Sequence, residues 1–237
     1  MIIEKNNLSK VFSGIAPDYD FLNHILSFNG DKSWRKKFIA AAQIKENARV
    51  LDLCTGTADI AIECAKRKSA SQVFGVDFSW VMLKKAQEKI NRLRLAKQIH
   101  LIEADVFKLP FHPDFFDLVS ISFGLRNLAD PAKGITEIVK MLKTGGQVII
   151  LEFSPPANNL VGQVYNFYLN KMVPLVATIC GGSPGAYKYL CASISAFLYP
   201  KQILNCMESA GLKNLHTQKM CWGAVNAYYG EKLYKLH

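Results

Sequence analysis

Residues Val50 to Asp77 hold the feature that most narrows the folds open to this chain. The apolar run Val50-Leu51-Asp52-Leu53-Cys54 leads into a short turn, Thr55-Gly56-Thr57-Ala58-Asp59. A second apolar run follows a helix-length interval and ends in Gly75-Val76-Asp77. Strand, tight turn, helix and strand in that order make a right-handed parallel unit, because two parallel strands need a crossover that a helix supplies. Each strand carries an aspartate at its carboxyl tip. Packing alone does not call for a carboxylate at the end of an apolar strand, and ligands of open α/β sheets lie across those strand ends.

The rest of the chain repeats the alternation. Expected helices cover 8–27 and 31–43, with Asp31 as the cap of the second. The core then reads as strand 48–54, helix 59–68, strand 72–77, helix 79–95, strand 98–103, strand 116–122, helix 131–143 and strand 146–153. Lys143-Thr144-Gly145-Gly146 reads as the stop of the last helix. A helix over 200–211 and strands 214–221 and 224–231 close the chain, Trp222-Gly223 turning between the two strands. The expected fold class is α/β, a Rossmann-like, mostly parallel seven-stranded sheet with an antiparallel C-terminal hairpin. We expect one domain over 1–237, divided into an N-terminal helical lid (1–45), a cofactor-binding core (46–154), a helical acceptor-covering insertion (155–198) and a C-terminal helix and hairpin (199–237).

The turn after the first strand selects the cofactor. A pyrophosphate loop needs G-x-G-x-x-G opening on a helix N-terminus. Here there is one glycine, Gly56, between Asp52 and Asp59. Two carboxylates repel a pyrophosphate but attract a sulfonium and an amino group, so the reading is S-adenosylmethionine and not a dinucleotide. Asp52, Gly56 and Thr57 would surround the donor, Asp77 would accept both ribose hydroxyls, and Asp105 would meet the adenine amino group. After the fourth strand, Ser122-Phe123-Gly124-Leu125-Arg126-Asn127 marks the acceptor side. The [D/N]-P-P-[Y/F/W] tetrad of enzymes that methylate nucleic-acid amines is absent there, as is a nucleophilic Cys of the RNA carbon methylases. Arg126 is suited to stabilising a developing phenolate. On the first expected helix, Tyr19 with Asn23 and Asp20 with His24 share faces at i, i+4, which makes Asp20 or His24 the candidate proton acceptor.

The formal charge of +10 is the one unusual bulk property, and it points to nucleic acid or an anionic membrane face. Six cysteines show no C-x-x-C pair, which favours buried thiols in a reducing compartment and no metal. No basic and apolar leader opens the sequence, so no signal peptide is expected. Leu160 to Cys180 is rich in apolar and aromatic residues. Gln163, Asn166, Asn170 and Lys171 interrupt it, and this disfavours a span and favours a pocket-covering or surface-lying helix.

Several distinctive segments run together: Tyr19-Asp20-x-x-Asn23, Gly56-Thr57-x-Asp59, Leu109-Pro110-Phe111, Phe123-Gly124-Leu125-Arg126-Asn127, Glu152-Phe153-Ser154-x-Pro156 and Tyr187-x-Tyr189-Leu190. With these the chain resembles, over roughly residues 10–232, the quinone-biosynthesis C-methyltransferases. That family methylates demethylmenaquinol and, in some members, a polyprenyl-methoxy-benzoquinol. The resemblance places cofactor contacts at Thr57, Asp77, Asp105, Val106 and Ser122. It implies an acceptor site with Tyr19, Asn23, Asn127, Tyr187 and Tyr189, while Tyr165, Phe167 and Tyr168 would help cover the ring and first prenyl units. His24 stands where the family commonly has Asp. Thr55 and Ala58 replace glycines found in many members, and a negative φ would suffice for Ala58.

The implied reaction is C-methylation of a prenylated hydroquinone, most directly demethylmenaquinol to menaquinol, with the ubiquinone-pathway benzoquinol as the alternative. Partners implied are the quinol and an anionic membrane surface, without nucleic acid; a homodimer is left open. The implied location is cytoplasmic, against the inner face of the membrane. Rivals are an RNA or other small-molecule methyltransferase on the same fold, and a lipid-surface binder that has lost catalysis.

Overall fold

A computed structural model of the chain describes residues 24, 27, 29–67, 70–179 and 184–233. Most of the expected helix over 8–27, including Tyr19, Asp20 and Asn23, lies outside the described residues. The elements in order are α1 (Gly30–Ala40), β1 (Ala48–Leu53), α2 (Asp59–Ala65), β2 (Ala70–Asp77), α3 (Trp80–Arg92), β3 (Ile99–Glu103), β4 (Phe116–Ser122), α4 (Pro131–Met141), β5 (Leu142–Phe153), α5 (Leu160–Phe167), α6 (Val173–Ile179), α7 (Pro184–Ser195), α8 (Pro200–Ser209), β6 (Leu212–Met220) and β7 (Val225–Lys232).

Seven strands form one sheet in the order β3-β2-β1-β4-β5-β7-β6. The first five are parallel, and β7 runs antiparallel to both β5 and β6. The chain therefore reverses its direction of travel across the sheet between β1 and β4, the switch point at which such sheets bind ligands. Because both faces are covered, the central strands are continuously apolar. Val50 and Leu118 pack into the cluster on one face with Ile60, Ala61 and Ile90. Leu51 and Val119 pack into the other with Ile135, Ile138 and Ile203.

Local chemistry sets several boundaries differently from the periodicity. Helix α4 stops at Met141, and Lys143–Gly146 lies within β5 as an irregularity, the pairing jumping from Phe116↔Leu142 to Leu118↔Gln147. The bulge is held by Lys143 Nζ, 2.8 Å from both oxygens of Asp117, and by Gly145 at φ 74°. Asp31 does not cap α1. Asn29 holds the cap position at φ 58°, and the Asp31 carboxylate accepts from Ser27 Oγ at 2.9 Å and Arg35 NH1 at 2.6 Å. The Cys221–Gly223 turn between β6 and β7 is confirmed, with Trp222 at φ 53° and Gly223 at φ 93°.

Residues 160–179 form α5, a π-helical turn over Tyr168–Met172, and α6. Among the described residues no helix is long and apolar enough to cross a membrane.

Candidate active site

Strands β1 and β4 both end in a left-handed residue, Cys54 at φ 52° and Phe123 at φ 54°. That conformation is unfavourable for a bulky side chain and persists where surrounding bonds impose it. Phe123 is held by its amide, which donates to Leu151 O at 2.7 Å, and by ring contact with Phe153 at 4.6 Å between centroids. Gly124 lies against Cys54 so closely that a Cβ there would sit 2.4 Å from the Cys54 Cβ. Gly56, at φ 55°, has open space around its missing Cβ, so its requirement is conformational.

At these strand ends lies a groove of about 170 Å³ lined by Gly56, Asp77, Asp105, Val106, Ser122, Phe123 and Asn127, among others. Five of the seven sequence-nominated cofactor residues thus meet along one wall. Asp77 is locked in place: its two oxygens accept from the Gly56 amide at 2.8 Å and the Ser79 amide at 2.9 Å. Burial pushes its pKa up, and these amide bonds oppose the shift. The Ser122 hydroxyl is buried with no hydrogen-bond partner among the described residues. A buried polar atom without a partner is costly and is commonly completed by a ligand.

Asp52 and Thr57 are the two nominated residues that do not line the groove. Asp52 is 1% exposed beneath the turn, where its carboxylate accepts from Thr55 Oγ1 at 2.6 Å and Ser120 Oγ at 2.8 Å. Burial raises its pKa to about 6 against the pull of those two bonds. Thr57 is buried beside Lys89. Asp59 is turned away as well, ion-paired to Lys89 and to Arg35 at 2.8 Å. The two carboxylates flanking the turn therefore brace it from behind. The sequence argument that they attract the donor directly is corrected: of the acidic residues it named, Asp77 and Asp105 line the groove. Ala58 is corrected too, adopting φ 66° rather than a negative value.

A second, larger cavity of about 720 Å³ adjoins the groove across Phe123, which lines both. Its walls come from α1 (Trp34, Arg35), the tip of β5 (Phe153, Ser154), α5 and the following turn (Val164, Tyr165, Tyr168), α7 (Tyr187, Tyr189, Leu190) and the β6–β7 turn (Trp222). Most of this lining is apolar or aromatic. Arg126 lines the larger cavity. Its side chain is 6% exposed, with NH1 donating to Glu152 Oε1 at 2.7 Å and to Phe123 O at 2.6 Å. The neighbouring Asn127 accepts from the Tyr189 hydroxyl at 2.8 Å, which ties the wall of the larger cavity to the smaller groove.

His24 does not line this cavity. Its Nδ1 is 2.8 Å from Asp31 Oδ2, and Asp31 is the member of that pair on the wall. Phe167, expected to cover the ring, is 60% exposed and outside the lining. Glu152, fully buried, was missed as a site residue. The signal was available, since Glu152 is a carboxylate at the tip of an apolar strand, as Asp52 and Asp77 are. Asp31 and Arg35 gave no such signal, because a helix-surface Asp–Arg pair at i, i+4 is ordinary.

A mostly parallel sheet with this strand order and a groove at its switch point define a Rossmann-like α/β fold, the architecture of S-adenosylmethionine-dependent methyltransferases. Solved structures with this architecture include an S-adenosylmethionine-dependent methyltransferase from Aquifex aeolicus (18% identity, 84% of this chain and 89% of that one, TM-score 0.61). The [4+2]-cyclase SpnF is also similar (15% identity, 85% and 80% covered, TM-score 0.65), a reminder that the fold alone does not set the chemistry. The family is set by sequence: the ubiE/COQ5 methyltransferase family profile matches residues 1–232, and the chain belongs to that family. Relatives include the demethylmenaquinone methyltransferase of Lactiplantibacillus plantarum (39% identical, covering 96% of both chains) and that of Thermus thermophilus (37%, covering 94% of this chain and 100% of that one). The ubiquinone/menaquinone biosynthesis C-methyltransferase UbiE of Geotalea daltonii is 38% identical, covering 95% of this chain and 96% of the relative.

Proposed function

We propose that this protein methylates a ring carbon of demethylmenaquinol to give menaquinol. The observation that carries the reading is the large aromatic and apolar cavity adjoining the groove across Phe123, with Arg126 on its wall. Such a cavity suits a flat hydroquinone and the first units of an isoprenoid tail.

S-adenosylmethionine supplies an electrophilic methyl group on a sulfonium. The groove residues fit it: Asp77 for the ribose hydroxyls, Asp105 and Val106 for the base, and Gly56 and the unpartnered Ser122 for the remaining polar groups. On the acceptor side, a quinol carbon ortho to a phenol oxygen becomes nucleophilic as that oxygen loses its proton. Arg126 stabilises the resulting phenolate in a site shielded from water, where a fixed cation acts strongly. Asn127 and Tyr189 fix the wall against which the ring lies, and Tyr187 lines the same pocket. Tyr19, Asn23 and the proton acceptor Asp20 come from the N-terminal segment that acts as lid. His24 is the alternative acceptor, relaying through Asp31.

The enzyme works at the inner face of an anionic membrane, where its substrate resides. Support comes from the +10 charge and from the apolar residues Leu160, Val164 and Leu175, which are 76%, 63% and 55% exposed beside the cavity. Anaerobic incubation of purified protein with labelled donor and reduced demethylmenaquinone should yield a product one methyl heavier. Labelling of tRNA instead would refute the proposal. Binding to anionic vesicles should fall with salt, and indifference to lipid charge would remove the membrane role.

A further inference from the structure

The hydrogen bonds around Arg126 leave an imbalance. NH1 is satisfied twice, by Glu152 and by Phe123 O, but Nε is buried with no partner among the described residues. A second polar atom on the same cavity is in the same condition: the Tyr165 hydroxyl is also buried and unpartnered. Its neighbours do not share the deficit, since Tyr189 donates to Asn127 at 2.8 Å and the Cys191 thiol donates to Leu169 O at 2.9 Å. A third orphan on the cavity, Asn226 Oδ1, is an acceptor, which leaves Arg126 Nε and the Tyr165 hydroxyl as the two unpartnered donors, in an interior where such atoms are nearly always paired.

We propose that Tyr165 is a second ligand of the acceptor, its hydroxyl donating to the same ring oxygen that receives the Arg126 Nε–H. An oxygen developing negative charge accepts two or three hydrogen bonds, so one donor from each side satisfies both orphans together. The two groups are near enough that the guanidinium charge acts on the phenol, yet burial dominates and pushes the Tyr165 pKa upward. Tyr165 therefore keeps its proton and serves as donor, not base. Its place on α5 makes this helix part of the head-group site as well as its cover. In sequence Tyr165 is one aromatic among several in an apolar stretch.

This inference rests on the proposed quinol reading, and Tyr165→Phe tests it separately. The variant loses one oxygen that has no partner in the fold, so thermal unfolding without acceptor should be unchanged or slightly raised. With reduced demethylmenaquinone, kcat/KM should fall about 10- to 100-fold, the loss expected for a hydrogen bond to a charged oxygen. In parallel, quenching of tryptophan fluorescence (Trp34 and Trp222 line the cavity) measures binding of a prenylated 1,4-dihydroxynaphthalene and its dimethyl ether. The parent should prefer the free hydroxyls by about tenfold or more, and Tyr165→Phe should lose most of that preference. Lost preference in a protein whose parent form does not turn over the quinol would remove the substrate reading and leave Tyr165 as a ring-oxygen ligand. A kcat/KM within twofold of the parent, an unchanged preference, or a parent without any preference would overturn the assignment.

Discussion

Removing the Glu152 carboxylate strands a guanidinium in the interior, and the structure allows the cost to be worked out. Glu152 is 0% exposed and the Arg126 side chain 6%, so solvent screens the pair very little. Breaking a buried pair by deleting one partner costs about 3–5 kcal/mol, because the remaining charge is left uncompensated. The carboxylate also accepts from the Arg126 amide at 3.2 Å and the Phe153 amide at 2.9 Å, adding about 1 kcal/mol for each. Glu152→Ala should therefore lose about 5–7 kcal/mol, a large part of the 5–15 kcal/mol typical of a domain. Glu152→Gln keeps an acceptor oxygen and should lose roughly half of that. Arg126→Met with Glu152→Met removes both charges, and should lie within about 2 kcal/mol of the parent. Urea unfolding of the parent, Arg126→Met, Glu152→Met and the double variant, followed by tryptophan fluorescence, gives the four corners of the cycle, provided the m-values agree. Additive single losses, or a Glu152→Ala cost below about 1 kcal/mol, would show that the pair is not coupled as described.

Three further outcomes follow from the same geometry. Asp52 titrates near 3.8 when unfolded and about 6 when folded. Between those values the folded state holds the extra proton, so this group subtracts stability as pH rises and the effect is complete above pH 6. Asp52→Asn should gain about 3 kcal/mol relative to the parent between pH 4 and pH 7; a flat difference in chemical denaturation would refute this. Gly124→Ala places a Cβ 2.4 Å from that of Cys54, so it should cost about 1–3 kcal/mol or more and weaken S-adenosylmethionine binding by calorimetry, whereas normal affinity would show that the β1 and β4 turns move independently. Ala58→Gly relieves a left-handed alanine at about 1–2 kcal/mol, offset by about 0.5–1 kcal/mol of added chain entropy. A modest net rise in Tm should result, and a clear fall would mean the turn is not strained there.

Much of this enzyme could be read before folding was considered. The alternation of apolar runs with helix-length intervals specifies the parallel sheet, since a strand buried on both faces must be apolar throughout. Asp77 and Gly56 follow from that reading because a strand's tip and the turn after it are sequence positions as well as places in space, whereas Ser122 came from the family resemblance. The direction of a side chain at the turn is different: it depends on which neighbours arrive from elsewhere. Asp52 points down onto Ser120, 68 residues away, and Asp59 is taken by Arg35 and Lys89, so neither carboxylate lines the groove. The acceptor site shows the same division. Arg126 was visible after β4, but the pairing of its NH1 with Glu152, which leaves Nε for the acceptor, exists only where β4 and β5 lie side by side. Periodicity within a segment determined the framework and the donor groove. Contacts between distant segments decided the charge state, the free hydrogen-bond donors and the shape of the cavity.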